Sequence, residues 1–377
     1  MSLSQLKIWA CAASLVVAFA LCAQAQESDF NTPGNVLIAD QFNNRVIEVD
    51  RNGKIVWQFG LGPADFSPAS IVGTNDAQRV GEFTLMAGTG VPGGQLEAAN
   101  CTNPSGCPDN RVLLVDRDGN IVWQYGQFGP GGSGPNQLNT PVQNTWLPNF
   151  HVLITDQANE RIIEVDVFTN NVVWQYGTTG VAGNGPNQLN NPNCAELLDN
   201  GHILICDENN NRALEVTHDG KKKIVWQYGS GDPNNNEPVS GVAFASRLEN
   251  GHTLVTDSNH NRIVEIDEDK KTVWEYFTCH GSGCNLSRGT GPLPTRAVRL
   301  KNGHTLISDQ YNHRVIEVNE DKHIVRTYGK LGDLSYDATS VAHGGLNSPY
   351  DAKRIGDYTG LTPPFGDDDH HHHHHHE

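Results

Sequence analysis

The chain repeats itself, and the repeat constrains the fold more than any other feature. An apolar run ending in Asp, an Arg followed by a second apolar run, and a third run built on Val-Trp-Gln or a variant occur at 36–40, 45–49 and 55–60. The pattern returns at 152–156, 161–165 and 172–177, then at 203–207, 212–216 and 224–229. Two more copies fall at 253–257, 262–266 and 272–277, and at 305–309, 314–318 and 324–329. Asp156, Asp207, Asp257 and Asp309 set a period of 50 to 52 residues. The longer interval between Asp40 and Asp156 holds one further copy at 83–88, 111–115 and 121–126, interrupted by a loop from Cys101 to Cys107. Six copies of this length point to a solenoid, a propeller or a linear array.

Each run is too short for a helix and rich in Val and Ile, so each copy contributes three strands. A fourth strand is expected before each trio, at 67–72, 141–147, 192–198, 242–248 and 294–300. Asn200-Gly201, Asn250-Gly251 and Asn302-Gly303 supply hairpin turns between it and the next strand. The first trio has no such partner upstream; 348–355, at the far end of the chain, has the right pattern. A terminal strand that completes the first unit closes a ring and leaves no open seam, which an open solenoid would not require. The expected fold is all-β: a six-bladed β-propeller of four-stranded blades spanning 26–355, closed by a C-terminal strand joining the N-terminal blade.

The Asp-x-x-Asn-x-Arg turns, Asp40/Asn43/Arg45 and Asp309/Asn312/Arg314 among them, carry a family resemblance, as do the Gly-Pro-Asn-Gln-Leu-Asn loops at 134–141 and 185–192. Over 35–355 the chain resembles the NHL family of six-bladed propellers. The resemblance implies the fold and leaves function open, because such propellers include binding scaffolds, lyases and lactonases. It also looks like the haem-free propeller subunits of hydrazine-synthase-type periplasmic redox complexes, which implies haem-containing partner subunits. The Asn-Gly-His-Thr-Leu strings at 250–254 and 302–306 resemble arylsulfotransferase repeats.

Outside the repeat, Lys7, the apolar run 8–22 and Ala23-Gln24-Ala25 read as an export signal, residues 1–25. An extracytoplasmic, periplasmic or secreted, protein with no membrane span after cleavage is expected. In that compartment Cys101/Cys107, Cys279/Cys284 and Cys194/Cys206 are disulfide candidates. Metal binding is the rival reading of the cysteines, although neither loop pair has CxxC spacing. Tyr276 stands where a CxxCH haem attachment would need Cys, so Cys279-His280 is no covalent haem motif. Residues 356–377 form a tail with seven consecutive histidines before Glu377; His370, His371 and His372 there would bind Ni, Zn or Cu weakly. The net charge of -17 argues against nucleic acid as a partner.

Residues that recur in five of the six blades are builders, because a catalytic group is needed once. This covers the Asp/Arg turn pairs, the glutamates at 48, 164, 215, 265 and 317, and the tryptophans at 57, 123, 174, 226 and 274, which fill the space between blades. Arg326 replaces the tryptophan in the last copy. His151, His202, His252 and His304 resemble a metal ring, yet second strands stand roughly 10 Å from a propeller axis, two strand spacings out, too far apart to share one ion. They read instead as turn caps.

Function belongs where blades differ. Two residues after the recurring proline, Ser70, Gln143, Cys194, Phe244, Arg296 and Asp351 are expected to line the channel mouth. Arg296 and Asp351, in adjacent blades, are read either as orienting a small polar ligand or as pairing across the closure seam. Two functions follow. One is a non-catalytic interaction or assembly subunit of a protein complex. The alternative is a metal-dependent lyase or lactonase holding Ca or Zn at the channel mouth, or an arylsulfotransferase-like enzyme; for the former only Asp351 and His280 or His343 are suitably placed.

Overall fold

Second strands such as Val36–Asp40 and Ile203–Asp207 are buried along their whole length. An antiparallel strand that is apolar on both faces must be covered on both, and here the covers are the neighbouring blades. The computed structural model describes residues 29–279 and 291–365. It shows six four-stranded antiparallel sheets and one small two-stranded sheet. The six sheets are the blades of a β-propeller, as the repeat requires. Each inter-blade layer has its own core: Leu153, Ile162 and Tyr176 of the third blade, for example, pack on Ala195, Ile205 and Leu214 of the fourth.

Closure occurs as the sequence indicates. Pro349–Arg354 pairs antiparallel with Val36–Asp40, from Val36 opposite Arg354 to Ala39 opposite Asp351. The inner strands of the third, fourth and fifth blades are Pro141–Trp146, Pro192–Leu197 and Val242–Arg247. That of the sixth is shorter than expected, Arg296–Arg299.

The second blade departs from expectation. Its inner strand is Thr74–Val80, not 67–72. Ser70 therefore lies in the loop before the blade, where its hydroxyl accepts from Leu61 N at 2.9 Å and its carbonyl accepts from Arg111 at 2.7 Å. The proline that opens the inner strands of the first, third and fourth blades is replaced here by Thr74, and alignment on Pro68 displaced the register. Asp76, opposite Ala87, is the residue equivalent to Asp351 and Arg296.

Two disulfides are formed, Cys101–Cys107 in the inserted loop and Cys194–Cys206 across one hairpin. Cys279 is also disulfide-bonded; Cys284, His280, residues 1–25 and the histidine tail lie outside the described residues. No helix among the described residues is long and apolar enough to cross a membrane.

Candidate functional site

Two faces bound the ring. On the turn face each Asp-x-x-Asn-x-Arg segment forms one 3-10 turn closed by a residue at positive φ, such as Asn44 at 50° and Asn211 at 51°. In the first blade Asp40 accepts from Arg45 Nε and Asn43 Nδ2, both at 2.8 Å. Its other oxygen takes the backbone N–H of Asn347, 2.8 Å away. The positive-φ residue then reaches the next blade: Asn44 accepts from Gly73 N, Asn110 from Thr140 N, Asn211 from Gly241 N and His313 from Ser348 N. These residues tie consecutive blades together, which explains their recurrence.

On the hairpin face the repeated glutamates join blades. Glu48, Glu215, Glu265 and Glu317 each accept from an arginine on the following blade's inner strand: Arg79, Arg247, Arg299 and Arg354. His151, His202, His252 and His304 place Nδ1 2.5 to 2.7 Å from Glu164, Glu215, Glu265 and Glu317. The turns are capped by asparagine instead; Asn200 Oδ1, for instance, accepts from His202 N. So each imidazole fixes the glutamate that fixes the next blade. Among the described residues no group of three or more His, Cys, Asp or Glu is arranged to hold a metal ion.

Between these faces lies the channel. Asp351, Asp76, Gln143, Cys194, Phe244 and Arg296 occupy its equivalent ring positions, all buried. Arg296 Nη2 donates to Asp76 Oδ1 at 2.9 Å, and its Nε stands 3.0 Å from Asp351 Oδ1. Its guanidinium also covers the Phe244 ring, 4.2 Å from the centroid. Lys353 Nζ, one turn of the pleat further in, donates to Asp76 at 2.7 Å and to Asp351 at 2.5 Å. Asn144 adds two bonds to Asp76 from its backbone and side-chain nitrogens. Cys194 is oxidised and offers no thiol.

Burial pushes Asp76 up to about 6, only partly offset by Lys353. Burial acts the same way on Asp351, but Lys353 and Arg296 outweigh it and hold that carboxyl below its ordinary range. The third buried carboxyl, Glu196, is raised by burial against hydrogen bonds from Thr362. Three acids thus face two cations in a water-poor space, and the two least compensated ones carry the raised values.

Both ends of the channel are occupied. On the turn face Tyr350 of the first blade reaches Asn193 of the fourth, with Nδ2 2.9 Å from the phenol oxygen. Asn193 also donates to Glu208, whose carboxyl burial pushes up to about 7. On the hairpin face the segment after the closing strand turns back across the opening. Asp357 accepts from Lys301 N of the sixth blade, and Leu361 packs in the core that contains Phe244. Thr362 bonds Glu196 of the fourth blade through N and Oγ1, at 3.0 and 2.6 Å. Gln78 of the second blade donates to Thr362 O. A cavity of about 20 Å³ remains beneath this plug, room for about one water. His343 is exposed, away from this set.

The sequence pairing of Arg296 with Asp351 thus corresponds to two groups in contact, whereas Asp76, Lys353, Glu196 and the plug were not anticipated. Asp76 was hidden by the displaced register. Lys353 and Glu196 lie two positions along their strands from Asp351 and Cys194, so the alternation of strand side chains could have found them.

No protein-family model matches the chain, and no curated protein matches it. Among solved structures it is similar to a protein of unknown function from Bacteroides caccae, with a TM-score of 0.52 and 14% identity over 78% of this chain and 93% of that one. It is also similar to a streptogramin B lyase, TM-score 0.48, 15% identity, covering 78% and 79% of the two chains. The WD40 β-propeller domain of Doa1 gives 0.45 and 10%, covering 81% and 84%. Likeness at these identities is one of fold.

Proposed function

We propose that this propeller is a non-catalytic interaction or assembly subunit of an extracytoplasmic protein complex. One observation carries the reading: Asp76 and Asp351 of the channel are paired with Arg296 and Lys353, while apolar side chains recur on the outer rim. Val172 and Val173, Ile224 and Val225, Val273, and Ile324 and Val325 are 37 to 51% exposed. They sit on fourth strands, each with an unpaired edge, so one rim repeats the same apolar, hydrogen-bond-competent surface. Haem-containing subunits of a hydrazine-synthase-like redox complex are the partners that the NHL-like repeat suggests. The lyase or lactonase alternative needs metal-binding side chains converging at the channel mouth, and the sulfotransferase-like one needs a histidine not engaged by glutamate.

Photo-crosslinking residues at Val173 and Val225 in the native host, with purification of the untagged chain, test the proposal. A single crosslinked protein present in equal amount is expected at both positions. A monomer that carries stoichiometric Ca or Zn and yields no discrete crosslink would overturn it in favour of the enzyme.

A further inference from the structure

The blade junctions are built alike on the hairpin face, with one exception. At four of the six, an indole lies over or beside the ion pair that joins the blades. Arg79 lies over Trp57, Arg247 over Trp226 and Arg299 over Trp274, with guanidinium carbons 4.7 to 5.0 Å from the ring centroids. Trp174 meets His218, which replaces the arginine and pairs with Glu164. The junction of the second and third blades replaces the set at once: Leu114 and Trp146 stand for the glutamate and arginine and pack with Trp123. Only the junction of the sixth and first blades keeps glutamate and arginine, Glu317 and Arg354, and loses the indole.

Arg326 fills the tryptophan position there and takes over part of its bonding. Trp57 Nε1 donates to Arg117 O, and Trp274 Nε1 to Glu320 O, each on a turn of the next blade. Arg326 Nη1 donates to Arg51 O, 2.6 Å away, in the same manner. It does not replace the volume. A cleft of about 280 Å³ is left, lined by Gly34, Arg51, Asn302, His304, Glu317, Val325, Arg326 and Arg354. That is smaller than sites for drug-sized ligands, and corresponds to about nine waters at ~30 Å³ each. Three guanidinium groups face one carboxylate in it, a local excess of cations on a chain whose net charge is -17.

The one carboxylate is committed. Glu317 accepts from Arg354 Nη2 at 2.6 Å and His304 Nδ1 at 2.7 Å, and those partners hold its carboxyl below the ordinary range despite burial. Arg326 Nε is 3.5 Å from it. The buried Nε of Arg326 has no hydrogen-bond partner, and that of Arg354 has none either, as is true of Arg79, Arg247 and Arg299 at the other junctions. Arg51 forms no ion pair among the described residues, and its Nη2 comes 3.6 Å from where a side chain on Gly34 would begin. A surplus of guanidinium groups around a small cleft matches the recognition of a tetrahedral oxyanion.

We propose that the cleft between the sixth and first blades binds a dianionic oxyanion group of the sulfate or phosphate class, held by Arg51, Arg326 and Arg354. The group is either the free ion or the terminal group of a small organic ligand. Calorimetric titration of the full chain with sodium sulfate, inorganic phosphate and phenyl phosphate separates the two sources. Inorganic ions binding as well as phenyl phosphate indicates the free ion; preference for phenyl phosphate indicates a terminal group. R326W restores the side chain used at the other junctions and closes the cleft, so binding is expected to be lost. R51A, at an exposed side chain, is expected to weaken binding roughly ten- to a hundredfold, as removal of a charge-assisted contact does, and carries the test should R326W not fold. Sulfate also stabilises proteins generally by exclusion from their surface, so any thermal shift counts only as the difference between wild type and variant. Failure of wild type to bind all three probes, equal binding by wild type and the variants, or tighter binding of malonate than of sulfate would each overturn the proposal.

Discussion

Asp76→Asn tests how the channel manages its charge. Three buried carboxyls, Asp76, Asp351 and Glu196, face Arg296 and Lys353, so full ionisation leaves one negative charge in excess. Asp76 titrates at about 6 in the folded protein against an ordinary 3.8. Because the folded state holds this proton more tightly, stability falls as pH rises from about 3.8 to 6 and is fully lowered above that range. The shift of roughly two pH units corresponds to about 3 kcal/mol, of which about 2 kcal/mol is recovered on acidification from pH 7.5 to 4.5. Asparagine keeps an acceptor for Asn144, cannot titrate, and leaves two acids against two cations. Urea denaturation at the two pH values gives the difference between wild type and variant, in which other titrating carboxyls cancel to first order. The wild type should gain about 2 kcal/mol more than the variant at the lower pH. Equal gains, or a larger gain in the variant, would refute the charge assignment.

The closing strand and the plug make separate predictions. A chain ending after Gly356 keeps Pro349–Arg354 and should fold cooperatively, whereas one ending after Asn347 should lose near-UV circular dichroism and become protease-sensitive, because the first blade then has an unpaired inner edge. Thr362→Val keeps the shape of the plug but removes the 2.6 Å bond to Glu196; a loss of about 1–3 kcal/mol in urea denaturation is expected, the cost of a buried group left short of a partner.

How much was legible depended on repetition. Strand trios, the closing strand and the partnership of Cys194 with Cys206 follow from patterns stated several times along the chain. Alignment failed in the second blade, where Pro68 imitates the proline before an inner strand and Gly73, at φ 57°, turns the chain into the real one. The bond of the repeated histidines to the repeated glutamates was missed, although the thirteen-residue spacing of His202 and Glu215 recurs in four blades. Residues 356–365 repeat nothing. Their place over the channel depends on contacts with the fourth, fifth and sixth blades, which no local pattern encodes.

The Arg326 substitution separates two kinds of deviation in a ring of like units. Between the second and third blades both charged members of the inter-blade set change together, apolar for charge on both sides, the indole is kept, and Leu114, Trp123 and Trp146 fill the space. A compensated change of this kind preserves packing and needs no ligand. Between the sixth and first blades one member changes alone: the indole is exchanged for a cation beside an arginine that already has its carboxylate, and volume is lost while charge is gained. Packing alone would favour tryptophan at that position, since it serves the other junctions with the same Glu–Arg pair. R326W should therefore raise the stability of the chain in the absence of added anion, as the filling of a cleft and removal of an excess charge both act in that direction. A destabilised R326W would mean that Arg326 is there for the ring, not for something the ring binds.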